Sequence, residues 1–75
     1  MTEEELKVCL RAFARRKPFR HFLIEFFNGQ RLRIRHPEAV GPFAGVWLYS
    51  EPDGSRVVFA SSSVCRLLDL PEAER

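Results

Sequence analysis

At 75 residues the chain holds one small domain, and a chain of that length buries only about 60% of the surface its unfolded form exposes. With 45% hydrophobic and 29% charged residues it is not a disordered tail, which needs low hydropathy with high net charge. The net charge of +2 conceals an uneven layout. Nine of the twelve basic residues fall between Lys7 and Arg35, where Glu25 is the only acid. Cys9 and Cys65 are too few and too far apart for a disulfide framework, so free thiols in a reducing compartment are expected. No apolar run is long enough to span a bilayer, and the start lacks the basic and apolar regions of a secretory signal; the expected location is the cytoplasm.

Thr2 and Glu5 have the spacing of a capping box, which predicts a helix over residues 2–16. Leu6, Cys9, Leu10 and Phe13 share one helical face, and Lys7, Arg11 and Arg15 another. Pro18 disfavours helix at Lys17, so Arg15, Arg16 and Lys17 sit where a helix dipole favours cations.

Residues 19–27 and 30–36 read as two strands about Asn28-Gly29. A two-residue loop would set Ile24 opposite Arg33 and Phe22 opposite Arg35. A three-residue loop, Phe27-Asn28-Gly29 with Gly29 left-handed, pairs Ile24 with Leu32 and Phe22 with Ile34. Only the second builds an apolar face, and burying one unpaired charge costs several kcal/mol. Arg31, Arg33 and Arg35 are therefore expected to point outward, with Glu25 opposite Arg31, Leu23 opposite Arg33 and His21 opposite Arg35.

"HPEAVGPFAG" carries two Pro and two Gly and reads as a loop. Strands follow at 46–50 and 56–60 around the turn "EPDG". A four-residue loop there pairs Leu48 with Val57, Val46 with Phe59, Trp47 with Val58 and Tyr49 with Arg56. "SSS" reads as a turn or 3₁₀ step, 64–70 as a last strand, and the tail beyond as frayed. No internal repeat stands out. The expected fold is α+β, mainly β: an N-terminal helix and about five antiparallel strands in a small SH3-like or Sm-like barrel, which covers apolar residues on both strand faces.

The stretch "KPFRHFLIEFFNGQRLRIRHPEAV" with the later "RVVFASSSVCRLL" resembles a family of uncharacterised small bacterial proteins marked by Pro-Phe-Arg, a Gly turn and His-Pro-Glu. The resemblance implies a shared fold and no activity. A weaker likeness is to Sm-like proteins, which assemble as RNA-binding rings; this chain lacks the Gly of their second strand and their acidic-then-Asn signature.

His21 and His36 have no Cys or carboxylate at ligand spacing, so no metal site is expected. The serine run lacks a nucleophile elbow, and no Gly-rich phosphate loop or paired carboxylates occur. The expectation is a protein without enzymatic activity or cofactor. Two surfaces remain. Arg31, Arg33 and Arg35, about 7 Å apart along a strand, form a row of bidentate donors that Arg20, Lys17 and Arg16 extend, suited to RNA or single-stranded nucleic acid. Leu23, Phe27, Phe43, Trp47 and Tyr49 are the candidates for docking on a protein, another copy or a different one. The plain alternative for the arginines is a solvated face, with Glu25 neutralising Arg31, Leu23 carrying the stem of Arg33, and charge guarding an edge. The primary reading is an interaction module, with nucleic-acid binding second.

Overall fold

The computed structural model describes residues 1–71 and contains one helix and six antiparallel strands in two three-stranded sheets. Helix α1 is Glu3–Ala14. Thr2 caps it as expected: its side chain accepts from the Glu5 N–H at 3.1 Å, and Glu5 accepts from the Thr2 N–H at 2.8 Å. Arg15 closes the helix, and a cis Lys17–Pro18 bond follows. Of the tail expected to fray, residues 71–75, all but Pro71 lie outside the described residues.

Strands β1 (Phe22–Phe26) and β2 (Arg31–Ile34) pair in the register that charge burial demands: Phe22 with Ile34, Leu23 with Arg33, Ile24 with Leu32 and Glu25 with Arg31. The Phe26 N–H donates to the Gln30 carbonyl at 2.9 Å across a three-residue loop, with Gly29 at φ 88°.

The segment read as a loop after His36 is instead a 3₁₀ turn at Pro37–Ala39 and strand β3 at Val40–Phe43. Pro42 is compatible with a strand because β3 lies at a sheet edge, where one side needs no donor. Ala44 and Gly45, at φ 49° and 84°, join β3 to β4 (Val46–Ser50) by a two-residue turn with both residues left-handed.

The second hairpin, β4 with β5 (Arg56–Phe59), is one residue out of the expected register. Trp47 pairs with Phe59, Leu48 with Val58, Tyr49 with Val57 and Ser50 with Arg56. The cause is the loop. The Glu51 N–H donates to the Ser55 carbonyl at 2.7 Å, leaving three residues, Pro52-Asp53-Gly54, with Gly54 at φ 94°. This repeats the first hairpin in detail. Gly29 and Gly54 each donate back to the first closing residue at 2.9 Å, and Asn28 and Asp53 accept from the amides of Gln30 and Ser55 at 2.9 and 2.8 Å.

The halves do repeat, contrary to the sequence reading. Each is a hairpin with an Asx-Gly loop, a 3₁₀ turn (Pro37–Ala39, then Ser61–Ser63) and a third strand, β3 or β6 (Val64–Asp69). The third strands cross over: β6 pairs with β1, giving the order β2-β1-β6, and β3 pairs with β4, giving β3-β4-β5. A register shift opposite Glu25 and Phe26 leaves Cys65 of β6 bulged. The strands thus form two sheets rather than a closed barrel, with six strands where about five were expected.

One core lies between the sheets. Phe22, Ile24, Leu32, Ile34 and Val64 come from one side, Trp47, Tyr49 and Phe59 from the other, and Leu6 of α1 plugs it. A Cβ added at Gly29 or Gly54 meets nothing within 4 Å, so an alanine there suffers from backbone conformation alone. Gly29→Ala and Gly54→Ala should each destabilise by about 1–2 kcal/mol, and by similar amounts, in urea unfolding.

Candidate functional site

Each sheet has a second face directed away from the core, and the two faces differ. On the outside of β2-β1-β6, Glu25 lies between two guanidinium groups. Its carboxylate accepts from Arg31 Nε at 2.9 Å and from Arg66 Nε at 2.8 Å. Those bonds, from Arg66 first and then Arg31, hold the Glu25 carboxyl below the usual carboxylate range. The next row carries Leu23 between Arg33 and Leu68, with no acid. Continuing the β1–β2 register by one more pair brings His21 beside Arg35.

Among the described residues neither Arg33 nor Arg35 has an ion-pair partner, and both side chains are exposed. Their charge is felt at His21. Partial burial first, then Arg33, Arg35 and His36, push the His21 imidazole below its ordinary value. His36, exposed, comes within 3.5 Å of the Glu38 carboxylate.

The other predicted cations separate. Lys17 and Arg20 stand exposed on the connection from α1 to β1. Arg16 is removed from the anion-binding set: its guanidinium bonds the Asp69 carboxylate and the Arg20 carbonyl, and it lies 4.6 Å from the Phe13 ring centroid. It clasps the end of α1 to β6. Its Nε is buried without a hydrogen-bond partner.

Of the predicted docking side chains, Phe27 (70% exposed) and Phe43 (60%) are free, whereas Leu23 (9%), Trp47 (5%) and Tyr49 (0%) are buried. Trp47 and Tyr49 face inward because the observed register groups them with Val57 and Phe59. The Tyr49 hydroxyl also accepts from the Arg35 N–H at 3.1 Å, tying the second sheet to the edge of the first. The same register turns Val58, 57% exposed, to the outside. The sequence reading missed Val58. The Asp53-Gly54 pair, matching Asn28-Gly29, was the signal for it.

Two clefts follow from the crossed halves, each between the edge strand of one hairpin and the turn of the other. One, about 420 Å³, has Arg31 and Arg33 of β2 and Arg35 just beyond it on one wall and Glu51 and Asp53 on the other. The second, about 630 Å³, lies between β5 and the first turn, with Phe27, Val57, Val58 and Ser62 among its walls. Hydrogen bonding alternates along an antiparallel pair, so counting from the closing pairs Phe26–Gln30 and Glu51–Ser55 directs the backbone groups of Arg31 and Arg33, and of Arg56 and Val58, away from their hairpin partners.

Among the described residues no three His, Cys, Asp or Glu come together as metal ligands, and no helix is long and apolar enough to cross a membrane. Comparison with family models, curated proteins and solved structures returns no match.

The His21 midpoint, followed by proton NMR of its ring, should lie below 6.5. Its depression marks an imidazole disfavoured as a cation by partial burial and then by the neighbouring charges, so the stability linked to it is present above the unfolded value and declines as pH falls through the folded one. Arg33→Gln, or added salt, should raise the midpoint; a midpoint indifferent to both would separate His21 from the arginines.

Proposed function

We propose that the chain is a non-enzymatic interaction module of the cytoplasm that associates with a second copy of itself through the open edge of β5. One observation carries this reading: β5 is the sheet edge with the least protection. Edge strands invite pairing unless charge, proline, bulges or covering elements blunt them. Strand β2 bears Arg31 and Arg33 on four residues, β3 contains Pro42, and β6 carries the bulged Cys65 and Arg66 and contacts α1. Strand β5 reads Arg-Val-Val-Phe, with Val58 exposed beside the exposed Phe27.

The edge suits its own copy. Antiparallel pairing centred on Val57 sets Arg56 of one chain against Val58 of the other, so each arginine stem covers a valine while its guanidinium stays wet. The outward backbone groups of Arg56 and Val58 are the ones such pairing uses. Magnitude limits its strength. A stable dimer buries about 800 Å² per partner, which a four-residue strand with Phe27 does not approach, so the association is weak and concentration-dependent. The half-exposed outer face of the same sheet, with Phe43, Val46 and Leu48, extends the contact surface. In architecture we read the two stacked sheets as an incompletely closed small barrel of the SH3-like kind, whose unclosed edge is the one in use.

Sedimentation of the full chain from micromolar to millimolar concentration should show a reversible monomer–dimer equilibrium. Val58→Lys should abolish it while leaving the unfolding midpoint nearly unchanged, because the side chain is exposed. A wild-type monomer throughout that range would overturn the reading.

A further inference from the structure

We propose that Arg33 of β2 and Arg35 just past the strand's end, with His21 and His36, form a binding site for phosphate oxyanions. This face is separate from the β5 edge, so the inference stands apart from self-association.

The repeated halves supply an internal comparison. Aligned on Gly29 and Gly54, Arg31 corresponds to Arg56, Arg33 to Val58 and Arg35 to Ala60. The second hairpin folds with the same loop and neither of the last two cations, so the hairpin geometry does not require them. The rows of the outer face differ too. Where charge is balanced, an acid is provided, as Glu25 is to Arg31 and Arg66. One step along, Leu23 and Leu68 flank Arg33, and one step further His21 accompanies Arg35. Cations are thus gathered with no carboxylate between them. Alternate strand positions are about 7 Å apart along the backbone, and each guanidinium presents a donor fork matched to phosphate oxygens.

Charge from other elements bounds the site. Glu51 and Asp53 form the facing wall of the cleft below Arg33 and Arg35, with no ion pair to them. Asp53 is already engaged with the Ser55 amide. Glu38 lies beside His36. These acids disfavour an anion deep in the cleft and leave the outer side of the strand, next to His21, as its place. Burial first, and then Arg33, Arg35 and His36, depress the His21 titration, and a bound anion would offset the share that the cations contribute.

The ligand chemistry has two sources: a free phosphate or the phosphodiester backbone of a single strand. The full chain is titrated with inorganic phosphate and, separately, with a twelve-residue uridine oligonucleotide, following the His21 ring by NMR and affinity at several salt concentrations. Binding at the site raises the His21 midpoint. A response to both ligands assigns a phosphate site, and a response to the oligonucleotide alone assigns a backbone-binding surface. Arg33→Gln/Arg35→Gln should weaken binding about tenfold or more; for the oligonucleotide it should lower the slope of log affinity against log salt by about 1.4, at about 0.7 per phosphate contact. Arg11→Gln/Arg15→Gln, an equal loss of charge on α1, should change neither. No His21 response to either ligand, or equal effects of the two double variants, would overturn the proposal.

Discussion

Two three-residue loops govern this molecule, because loop length decides which side chains of a hairpin share a face. Each loop closes on a backbone bond from residue 26 or 51 and places a left-handed glycine before the second strand. A connection one residue longer or shorter would exchange the faces of one strand against its partner. In the first hairpin that would bring arginines into the core. In the second it would set Arg56 opposite Tyr49 and Val58 opposite Trp47, in place of Val57 and Phe59. The core between the sheets is the sum of these two choices.

Crossing of the third strands then makes one body of two hairpins. Neither hairpin alone covers its apolar face. Sending β3 to the second sheet and β6 back to the first gives each half a share in both sheets, and Leu6 of α1 closes the core between them. Two side-chain ties reinforce this. The Tyr49 hydroxyl meets the Arg35 amide from the opposite sheet, and Arg16 fastens the helix end to Asp69 of β6. Arg16 shows how a cation in a basic run comes to serve the fold. Stacked on Phe13 and paired, it has no free donor fork for an outside ligand.

The same crossing yields two clefts alike in construction and opposite in chemistry. Along β2 the edge is lined by guanidinium groups; along β5 it is lined by valine and phenylalanine. Charge keeps one edge from pairing with another strand and leaves it suited to small anionic groups. The other edge retains free backbone groups beside apolar side chains. The proposed division between anion recognition and strand pairing rests on a few differences within a repeated frame.

The helix cap, the end of the helix before Pro18, the first hairpin register and the outward arginines were legible in the residues, because each rests on contacts close in sequence or on the large cost of burying charge. The second register was not. Val57, Val58 and Phe59 are apolar on both faces, so alternation there does not penalise a slip, and only the loop chemistry distinguishes the alternatives. Strand β3 was hidden behind Gly41 and Pro42, which an edge position tolerates. Tertiary structure alone decided that Trp47 and Tyr49 are buried, that Glu25, foreseen as the partner of Arg31, also takes Arg66, and that Arg16 is spent internally. Those outcomes depend on partners far along the chain, Arg66 lying 41 residues from Glu25 and Asp69 lying 53 from Arg16, and no local pattern encodes which distant strand will arrive beside them.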